Sequence, residues 1–217
     1  GAELKMAGFD LLILQGQSPT PAYLHIANDQ VELLPADDLW GETVWRTEET
    51  LKARYQDQAL KVASIGVAGE QGVRYACIVN DMHRAAGRSG VGAVMGSKGL
   101  KAIAVRGTLG VQVNDLKQFT DAAVHGRALL AESPDRLELT EFGTNAMIDV
   151  MQEVGGLPTR NLREVQFEGV NAINPGGMFH RGADGHRNHT GNHACFGCTI
   201  ACGRHAHIHP KHFSIKD

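Results

Sequence analysis

The sequence is poor in cysteine, aromatic residues and net charge, and it contains no long apolar run. Only four of its 217 residues are cysteines, 6% are aromatic, and the formal charge at pH 7 is −3. Three of the four cysteines lie close together, whereas a disulfide framework would spread them in pairs. A nearly neutral chain gives no reason to expect nucleic acid or an acidic membrane as partner. A membrane span needs about 20 consecutive apolar residues, and no segment is that long. These absences predict a protein of a reducing, cytoplasmic compartment with neither a membrane nor a nucleic-acid partner.

The first hundred residues alternate short apolar runs with turn-forming residues, a pattern that is typical of strands. The predicted strands cover residues 9–16, 22–27, 31–34, 61–69, 75–79 and 101–105. A helix is predicted over residues 47–55, with Thr47 as its N-cap and two glutamates in its first turn.

The second half of the chain has apolar residues at helical spacing, which predicts helices over residues 113–132 and 136–155. Asn114 is the expected cap of the first helix, and Gly143 is expected to interrupt the second. Residues 169–193 are rich in glycine, histidine and asparagine, so they are expected to form loops with mostly exposed histidines.

The change from strand-like to helix-like spacing of apolar residues predicts a domain boundary near Gly110. Residues 1–110 are predicted to form a mixed β/α portion and residues 111–217 a mainly helical portion, which makes the fold class α+β. The chain begins at Gly1 rather than Met and stops at Asp217, soon after its densest group of cysteines and histidines. We therefore expect it to be a piece of a longer polypeptide.

Residues 84–101, RAAGRSGVGAVMGSKGLK, combine five glycines with four basic residues. Glycine lets a backbone turn sharply and bring its N–H groups close to an anion, and arginine offers phosphate a planar fork. The P-loop pattern fails because its Gly-Lys-Ser order is not met, and the dinucleotide pattern fails because the glycine after Gly90 and Gly92 comes one residue too late. Two interpretations remain, which are a phosphate or cofactor site of another kind and close packing of the backbone against the protein. Lys101 is expected to be a solvated or strand-end charge.

Cys195, Cys198 and Cys202 have the spacing C-x2-C-x3-C, and histidines follow directly. Three thiolates at this spacing suit a [4Fe–4S] cluster whose fourth ligand lies elsewhere. A Cys3His zinc site is the alternative. The histidines that could complete it are His205, His207 and His209. The spacing favours a metal and leaves iron and zinc open, while Cys77, in an apolar run, is expected to be a buried free thiol.

The glycine-rich basic segment, followed later by this cysteine motif, resembles the aldehyde ferredoxin oxidoreductase family of tungsten or molybdenum enzymes, which carry a bis-pterin cofactor and one [4Fe–4S] cluster. The segments that carry the resemblance are AELKMAGFDLLILQG (2–16), RAAGRSGVGAVMGSKGLKAIAVRG (84–107), GTNAMIDVMQEVGGLPTRNLRE (143–164) and ACFGCTIACGR (194–204). They occur in the family's order over nearly the whole chain, and the histidine-rich run before Cys195 matches least well.

The resemblance implies roles for individual residues. Arg84 would bind a pterin phosphate, and the Ala85 carbonyl would help to hold a Mg²⁺ that bridges the two pterins. The backbone around Gly87, Arg88 and Gly90 would pack close to the pterin. The implied cluster ligands are Cys195, Cys198 and Cys202. The fourth cluster ligand and the catalytic residues are expected outside this chain.

The implied activity is the oxidation of aldehydes to carboxylic acids. Electrons would pass singly through the cluster to ferredoxin or to an iron–sulfur partner subunit, in a homo- or hetero-oligomer. One alternative keeps the cofactors and changes the substrate, for example to an aromatic thioester that is reduced. The other alternative is a binding module without catalysis, in which zinc on the three cysteines and a histidine stabilises the fold.

Overall fold

The computed structural model describes residues 1–181, 185 and 187–206, which fold into two compact units. The first unit spans Gly1–Val113 and the second Asn114–Asp217. A mixed sheet with helices occupies the first unit, so the predicted α+β class is confirmed. None of the helices in the described part combines the length and the apolar character that a membrane crossing needs.

The first unit is built on a six-stranded sheet. Its strands are β1 (Ala22–Ala27), β2 (Gln30–Pro35), β3 (Lys61–Ser64), β4 (Ile78–Asn80), β5 (Arg84–Ala86) and β6 (Leu100–Arg106). Its helices are α1 (Ala2–Met6), α2 (Val44–Tyr55), α3 (Val67–Glu70) and α4 (Val91–Ser97). The strand order is β2-β1-β6-β3-β4-β5, in which β1 runs parallel to β6 and all other neighbours are antiparallel. Strand β6, the last strand of this unit in the sequence, therefore lies inside the sheet, and β5 lies at its edge.

Both faces of this sheet are covered, because its inner strands alternate two sets of apolar side chains. On one face, Tyr23 of β1 belongs to a buried cluster with Leu51 of α2. On the other face, Ile26 and Val105 belong to a second cluster with Met95 of α4. Burying each large apolar side chain contributes roughly 1.5–3 kcal/mol, so the two clusters hold the helices on the sheet.

Helix α2 begins three residues before its predicted start. The hydroxyl of Thr43 caps it by accepting a hydrogen bond of 3.2 Å from the Arg46 N–H. Thr47, the predicted cap, lies inside the helix and is fully buried, so that prediction was wrong. The two threonines are one turn apart and have the same capping chemistry, and the earlier one adds a turn of backbone hydrogen bonds.

Residues 9–16 were predicted as a strand, and the described structure assigns no strand there. The segment keeps the alternation of a strand, because Leu12 and Leu14 pack on the core while Leu11 and Ile13 are exposed. Apolar alternation thus specified the inward face correctly, but a strand also requires a neighbouring strand for its backbone hydrogen bonds.

Two further strand predictions were too long. Residues 61–69 divide into β3 and α3, and the chain turns at Gly66, which is the extended N-cap residue of α3. In residues 75–79, the strand β4 begins only at Ile78. A continuous apolar run does not distinguish a buried strand from a strand followed by a buried helical turn.

Lys101 was expected to be a solvated or strand-end charge. It is the second residue of β6, but the expectation that it is solvated was wrong. Its side chain is fully buried, and its ammonium donates to the Glu42 carbonyl at 2.7 Å and to the carboxylate of Glu70. The Glu70 side chain is also buried and accepts a second hydrogen bond of 2.9 Å from the Gly41 N–H. A charge at this position is tolerated because α3 brings an opposite charge to it.

In the second unit, the described residues form four helices, two short 3-10 turns and a two-stranded hairpin. The helices are α5 (Leu116–Glu132), α6 (Pro134–Phe142), α7 (Met147–Glu153) and α8 (Pro175–Phe179), the 3-10 turns are Gly143–Ala146 and Val170–Ala172, and the strands are β7 (His189–His193) and β8 (Gly203–Ala206). The predicted interruption at Gly143 is confirmed. Helix α5 is capped by Asp115 rather than Asn114, since the Asp115 carboxylate accepts from the Gln118 N–H at 2.9 Å.

The expectation of loops over residues 169–193 was wrong in part, because α8 and β7 lie within this range. Asn174 caps α8 by accepting a hydrogen bond of 3.0 Å from the Gly177 N–H. His189 in β7 is only 8% exposed, although the histidines here were expected to be mostly solvated. Composition gave no indication of the strand, since HTGNH has little β propensity and is held by pairing with β8.

Candidate functional site

Arg84 lies on β5 at the outer edge of the sheet, opposite Asn80 of β4. The loop between these strands carries Asp81 and Met82 with left-handed φ values of 49° and 63°. The Nε and Nη2 atoms of Arg84 are buried, and neither has a hydrogen-bond partner in the described structure. Buried donors without an acceptor are rare and costly, so this guanidinium has the chemistry to receive an anionic ligand.

The residues after Arg84 leave the protein surface open. Ala85, Gly87 and Arg88 are exposed, and a Cβ placed on Gly87 would meet nothing within 4 Å. The backbone at Gly87 is therefore accessible to a ligand, as the predicted site requires. Gly90 is different, because it has a φ of 65° and its Cβ would lie 2.0 Å from a backbone oxygen of the protein.

The later glycines of the segment serve packing. A Cβ on Gly92 would lie 2.5 Å from the Cys77 carbonyl oxygen, and one on Gly96 would lie 2.0 Å from the Gly69 carbonyl oxygen. These contacts let α4 approach α3 and the chain before β4 at backbone distance. The two interpretations of the glycine-rich segment thus apply to different residues, with an open surface up to Arg88 and close packing from Gly90 onward.

All three motif cysteines lie in the nine-residue connection between β7 and β8. The ladder closes at the pair His193 and Gly203, directly before and after this connection. Within it, the Cys198 N–H donates to the Cys195 carbonyl at 3.0 Å, and the Ile200 N–H donates to the Cys198 sulfur at 3.4 Å. A backbone donor aimed at a sulfur is an arrangement that stabilises a thiolate. The hairpin thus holds the three cysteines in one short loop.

None of the four cysteines forms a disulfide, and they differ in exposure. Cys195 and Cys198 are exposed, Cys202 is half-buried, and Cys77 is half-buried rather than fully buried as expected. Within the described residues, no three Cys, His, Asp or Glu side chains are arranged so as to hold a metal ion. The loop therefore supplies three cysteines from one segment, and the side chains of any bound state would have to turn toward a common point.

Of the three histidines of the zinc alternative, only His205 lies within the described residues. His205 lies on β8, where its Nδ1 makes a hydrogen bond of 2.9 Å with the Thr190 hydroxyl. His207, His209 and His212 lie outside the described residues. The phosphate-site residues belong to the first unit and the cysteine loop belongs to the second.

Sequence reasoning missed two residues that shape the cysteine loop. Arg204 donates hydrogen bonds to four backbone carbonyls, two of them beside Cys202. Asn192 of β7 donates to the Thr140 carbonyl at 2.9 Å. The signal for Arg204 was its place two residues after the last cysteine, but two of its four partners, Leu139 and Thr140, lie 65 and 64 residues earlier in the sequence.

Comparison with known proteins gives a consistent assignment. The sequence profile of the aldehyde ferredoxin oxidoreductase N-terminal domain matches residues 1–107, and that of domains 2 and 3 of the same family matches residues 122–216. The tungsten-containing aldehyde ferredoxin oxidoreductase of Pyrococcus abyssi is 42% identical over 205 residues, which cover 94% of this chain and 33% of the relative. The WOR-like subunit of an aliphatic sulfonate oxidoreductase from Pyrococcus furiosus is 38% identical over 120 residues, 50% of this chain and 19% of that subunit.

Among solved structures, the active-site complex BamBC of benzoyl coenzyme A reductase, in complex with 1,5-dienoyl-CoA, superposes with a TM-score of 0.68. It is 30% identical in sequence, and the match covers 95% of this chain and 32% of that one. The chain thus spans about a third of the length of the proteins it resembles. Two adjoining profiles of one family cover nearly all of its residues, in order, and the chain therefore belongs to the aldehyde ferredoxin oxidoreductase family.

Proposed function

We propose that this chain is the part of a tungsten- or molybdenum-pterin oxidoreductase that holds a pterin phosphate and three ligands of a [4Fe–4S] cluster. The complete protein would oxidise aldehydes to carboxylic acids and pass the electrons to ferredoxin or to an iron–sulfur partner subunit. The named activity of relatives that are 42% identical over 94% of the chain supports this proposal. When bound, the pterin-held metal supplies the two-electron oxidation of an aldehyde and water to a carboxylic acid and two protons, and the cluster accepts the electrons one at a time.

The pterin part of the proposal is supported above all by the buried guanidinium of Arg84. Two of its donors are buried and have no partner among the residues that the structure describes, and a buried unsatisfied donor costs about 1–3 kcal/mol. A phosphate oxygen would relieve this cost and form charge-assisted hydrogen bonds with the guanidinium. The adjacent Ala85 carbonyl would help to hold a bridging Mg²⁺, and the open backbone at Gly87 and Arg88 would lie along the pterin. In this proposal, Gly90 contributes by making the turn, since its missing side chain is already explained by protein packing.

The cysteine loop is the second part of the proposed site. Cys195, Cys198 and Cys202 would each supply one thiolate, and the hairpin β7–β8 would limit the entropy lost when they gather around one cluster. A fourth ligand and the catalytic acid or base would come from outside this chain. A low-potential cluster and its thiolate ligands would require a reducing compartment, so we propose that the protein is cytoplasmic.

Anaerobic purification of the protein from its complete gene tests the cluster. We expect a brown protein that contains iron and acid-labile sulfide and gives an electron paramagnetic resonance signal on reduction. Replacing Cys198 by Ser should remove most of the iron and sulfide, whereas Cys77→Ser should leave both unchanged. A colourless protein with one zinc per chain would instead establish the zinc-stabilised module.

The Arg84→Ala variant tests the pterin site. Each hydrogen bond to a charged group is worth about 1.5–3 kcal/mol, so losing two should weaken cofactor binding by about a hundredfold or more. Tungsten, molybdenum and pterin contents, measured after dialysis, should fall accordingly. Lys98→Ala is the matched control, since Lys98 belongs to the same basic segment but donates to the Gly16 carbonyl. Full cofactor loading in Arg84→Ala would contradict the assignment.

Reduction of an aromatic thioester is the second candidate function. The benzoyl coenzyme A reductase complex, with its TM-score of 0.68 and 30% identity, favours it. The complete protein should therefore be assayed with aldehydes and a redox dye and, separately, with an aromatic CoA thioester and a strong reductant. Turnover of the thioester without any turnover of aldehydes would select the second candidate.

A further inference from the structure

Arg204 binds the backbone on both sides of Cys202. Its Nη1 atom donates to the Ala201 carbonyl at 2.9 Å and to the Gly203 carbonyl at 2.9 Å. Ala201 has a left-handed φ of 54°, a conformation that a non-glycine residue adopts only when its surroundings enforce it. The guanidinium thus fixes the backbone through which the Cys202 side chain is oriented.

The same guanidinium connects the cysteine loop to helix α6. Its Nη2 atom donates to the carbonyls of Leu139 at 3.2 Å and Thr140 at 2.8 Å, both in the last turn of that helix. The final carbonyls of a helix lack intrahelical partners and carry partial negative charge, so a cation is favoured there. Asn192 of β7 also donates to the Thr140 carbonyl, at 2.9 Å. Both strands of the hairpin are therefore attached to one helix end.

Gly143 provides the space for this connection. A Cβ at this position would lie 2.5 Å from the Cys202 carbonyl oxygen and 3.1 Å from the Cζ atom of Arg204. The break after α6, which the sequence predicted, is thus the point at which the cysteine loop and the guanidinium reach the helix end.

We propose that Arg204 is a positioning residue for the iron–sulfur cluster, and this inference rests on the proposed function of the cysteine loop. It would hold Cys202 in the orientation that binds iron, and it would keep a permanent positive charge beside the cluster. Its Nε atom is buried and has no partner among the described residues, so one donor remains for a thiolate or sulfide. A nearby positive charge and N–H···S bonds both favour the reduced, more negative cluster, which raises its reduction potential.

The test compares Arg204→Met, which removes the charge and the hydrogen bonds, with Arg204→Lys, which keeps the charge and loses the planar fork. The protein is expressed from its complete gene and purified anaerobically, and Arg160→Met serves as a control that removes an exposed arginine of the same unit. The cluster midpoint potential is measured by redox titration followed by electron paramagnetic resonance. Iron retention is measured as the rate of loss of visible absorbance in the presence of a chelator.

In Arg204→Met we expect the reduction equilibrium to shift about tenfold toward the oxidised cluster, which corresponds to about 59 mV for one electron. Iron should be lost about 10–100-fold faster, the usual effect of removing an outer-shell partner. Arg204→Lys should keep a potential near that of the wild type but still lose iron faster, and Arg160→Met should change neither quantity.

Wild-type potential and iron retention in Arg204→Met would overturn the inference. If that variant is recovered only as aggregate, Arg204→Lys decides, and unchanged iron retention in it would be equally contradictory. A wild-type protein without iron and sulfide would instead overturn the proposed cluster itself. The failure of this inference and the failure of the proposed function are therefore distinguishable.

Discussion

Replacing Lys101 by Met should destabilise the first unit strongly. The substitution keeps the length and apolar stem of the side chain but removes the ammonium that faces the buried carboxylate of Glu70. Among the described residues, the hydrogen bond from the Gly41 N–H is the one that would then remain to that carboxylate. Removing one partner of a buried ion pair costs about 3–5 kcal/mol, because the other charge is left in a medium of low polarity.

This loss is a large fraction of the about 5–15 kcal/mol that stabilises a typical domain. For a unit of this size it corresponds to a fall in melting temperature of roughly 10–20 °C. Tryptophan fluorescence during urea or thermal unfolding measures it selectively, since Trp40 and Trp45, the two tryptophans of the chain, both lie in the first unit.

Two further variants sharpen the comparison. Lys61→Met makes the same change at an exposed position of the adjacent strand β3, and it should alter stability by no more than about 0.5 kcal/mol. Lys101→Met combined with Glu70→Met removes both charges, and it should be less destabilised than Lys101→Met alone. The reasoning is refuted if Lys101→Met costs no more than Lys61→Met, or if removing the second charge worsens stability.

Two other predictions concern packing and pH. Gly96→Ala should lower stability by about 1–3 kcal/mol through overpacking, because the new methyl group would lie 2.0 Å from the backbone oxygen of Gly69. Gly126→Ala, in open space on α5, should instead stabilise the helix by about 0.5–1 kcal/mol. Urea unfolding followed by circular dichroism measures both changes, and a shift of the two midpoints in the same direction would contradict the close approach at Gly96. Burial lowers the pKa of His25 from its ordinary 6.5, an effect that the carboxylate of Glu32 opposes only in part. The His25 imidazole therefore binds a proton more readily in the unfolded chain than in the folded one. Its contribution to folding stability is complete above about pH 6.5 and is lost as the pH falls through the pKa of the folded state. His25→Phe should flatten the loss of stability between pH 7 and pH 5, and an unchanged slope would contradict this account.

Local sequence patterns predicted much of the secondary structure of the first unit, and tertiary contacts determined the features that these patterns did not predict. The hairpin strands β1 and β2 were predicted to within one residue, because their turn and apolar runs are local signals. The failure at residues 9–16 concerned a partner strand, which no local pattern encodes. The expectation for Lys101 failed for a similar reason, since the carboxylate that neutralises it lies 31 residues away on α3.

The candidate site shows the same division. Glycine and arginine content predicted an unusual backbone at residues 84–101, but the separation into an open part and a packed part depends on Cys77 and Gly69, which precede the segment. The cysteine spacing predicts a metal site in the loop between β7 and β8, and metal binding there stays a prediction. The hairpin around that loop was missed because β7 is held by pairing with β8 rather than by propensity.

The position of β6 inside the sheet has a consequence for how the first unit assembles. Its parallel partner β1 lies more than 70 residues earlier in the chain, so their pairing closes one of the longest loops of the unit. Pairings of this kind are slow, because loop-closure entropy is lost before the contacts form. During synthesis the two halves of the sheet cannot join until Arg106 has left the ribosome, which is after the glycine-rich segment has emerged. Strand β6 is thus the last strand of the unit to be synthesised and the one that joins the β2–β1 pair to the β3–β4–β5 strands.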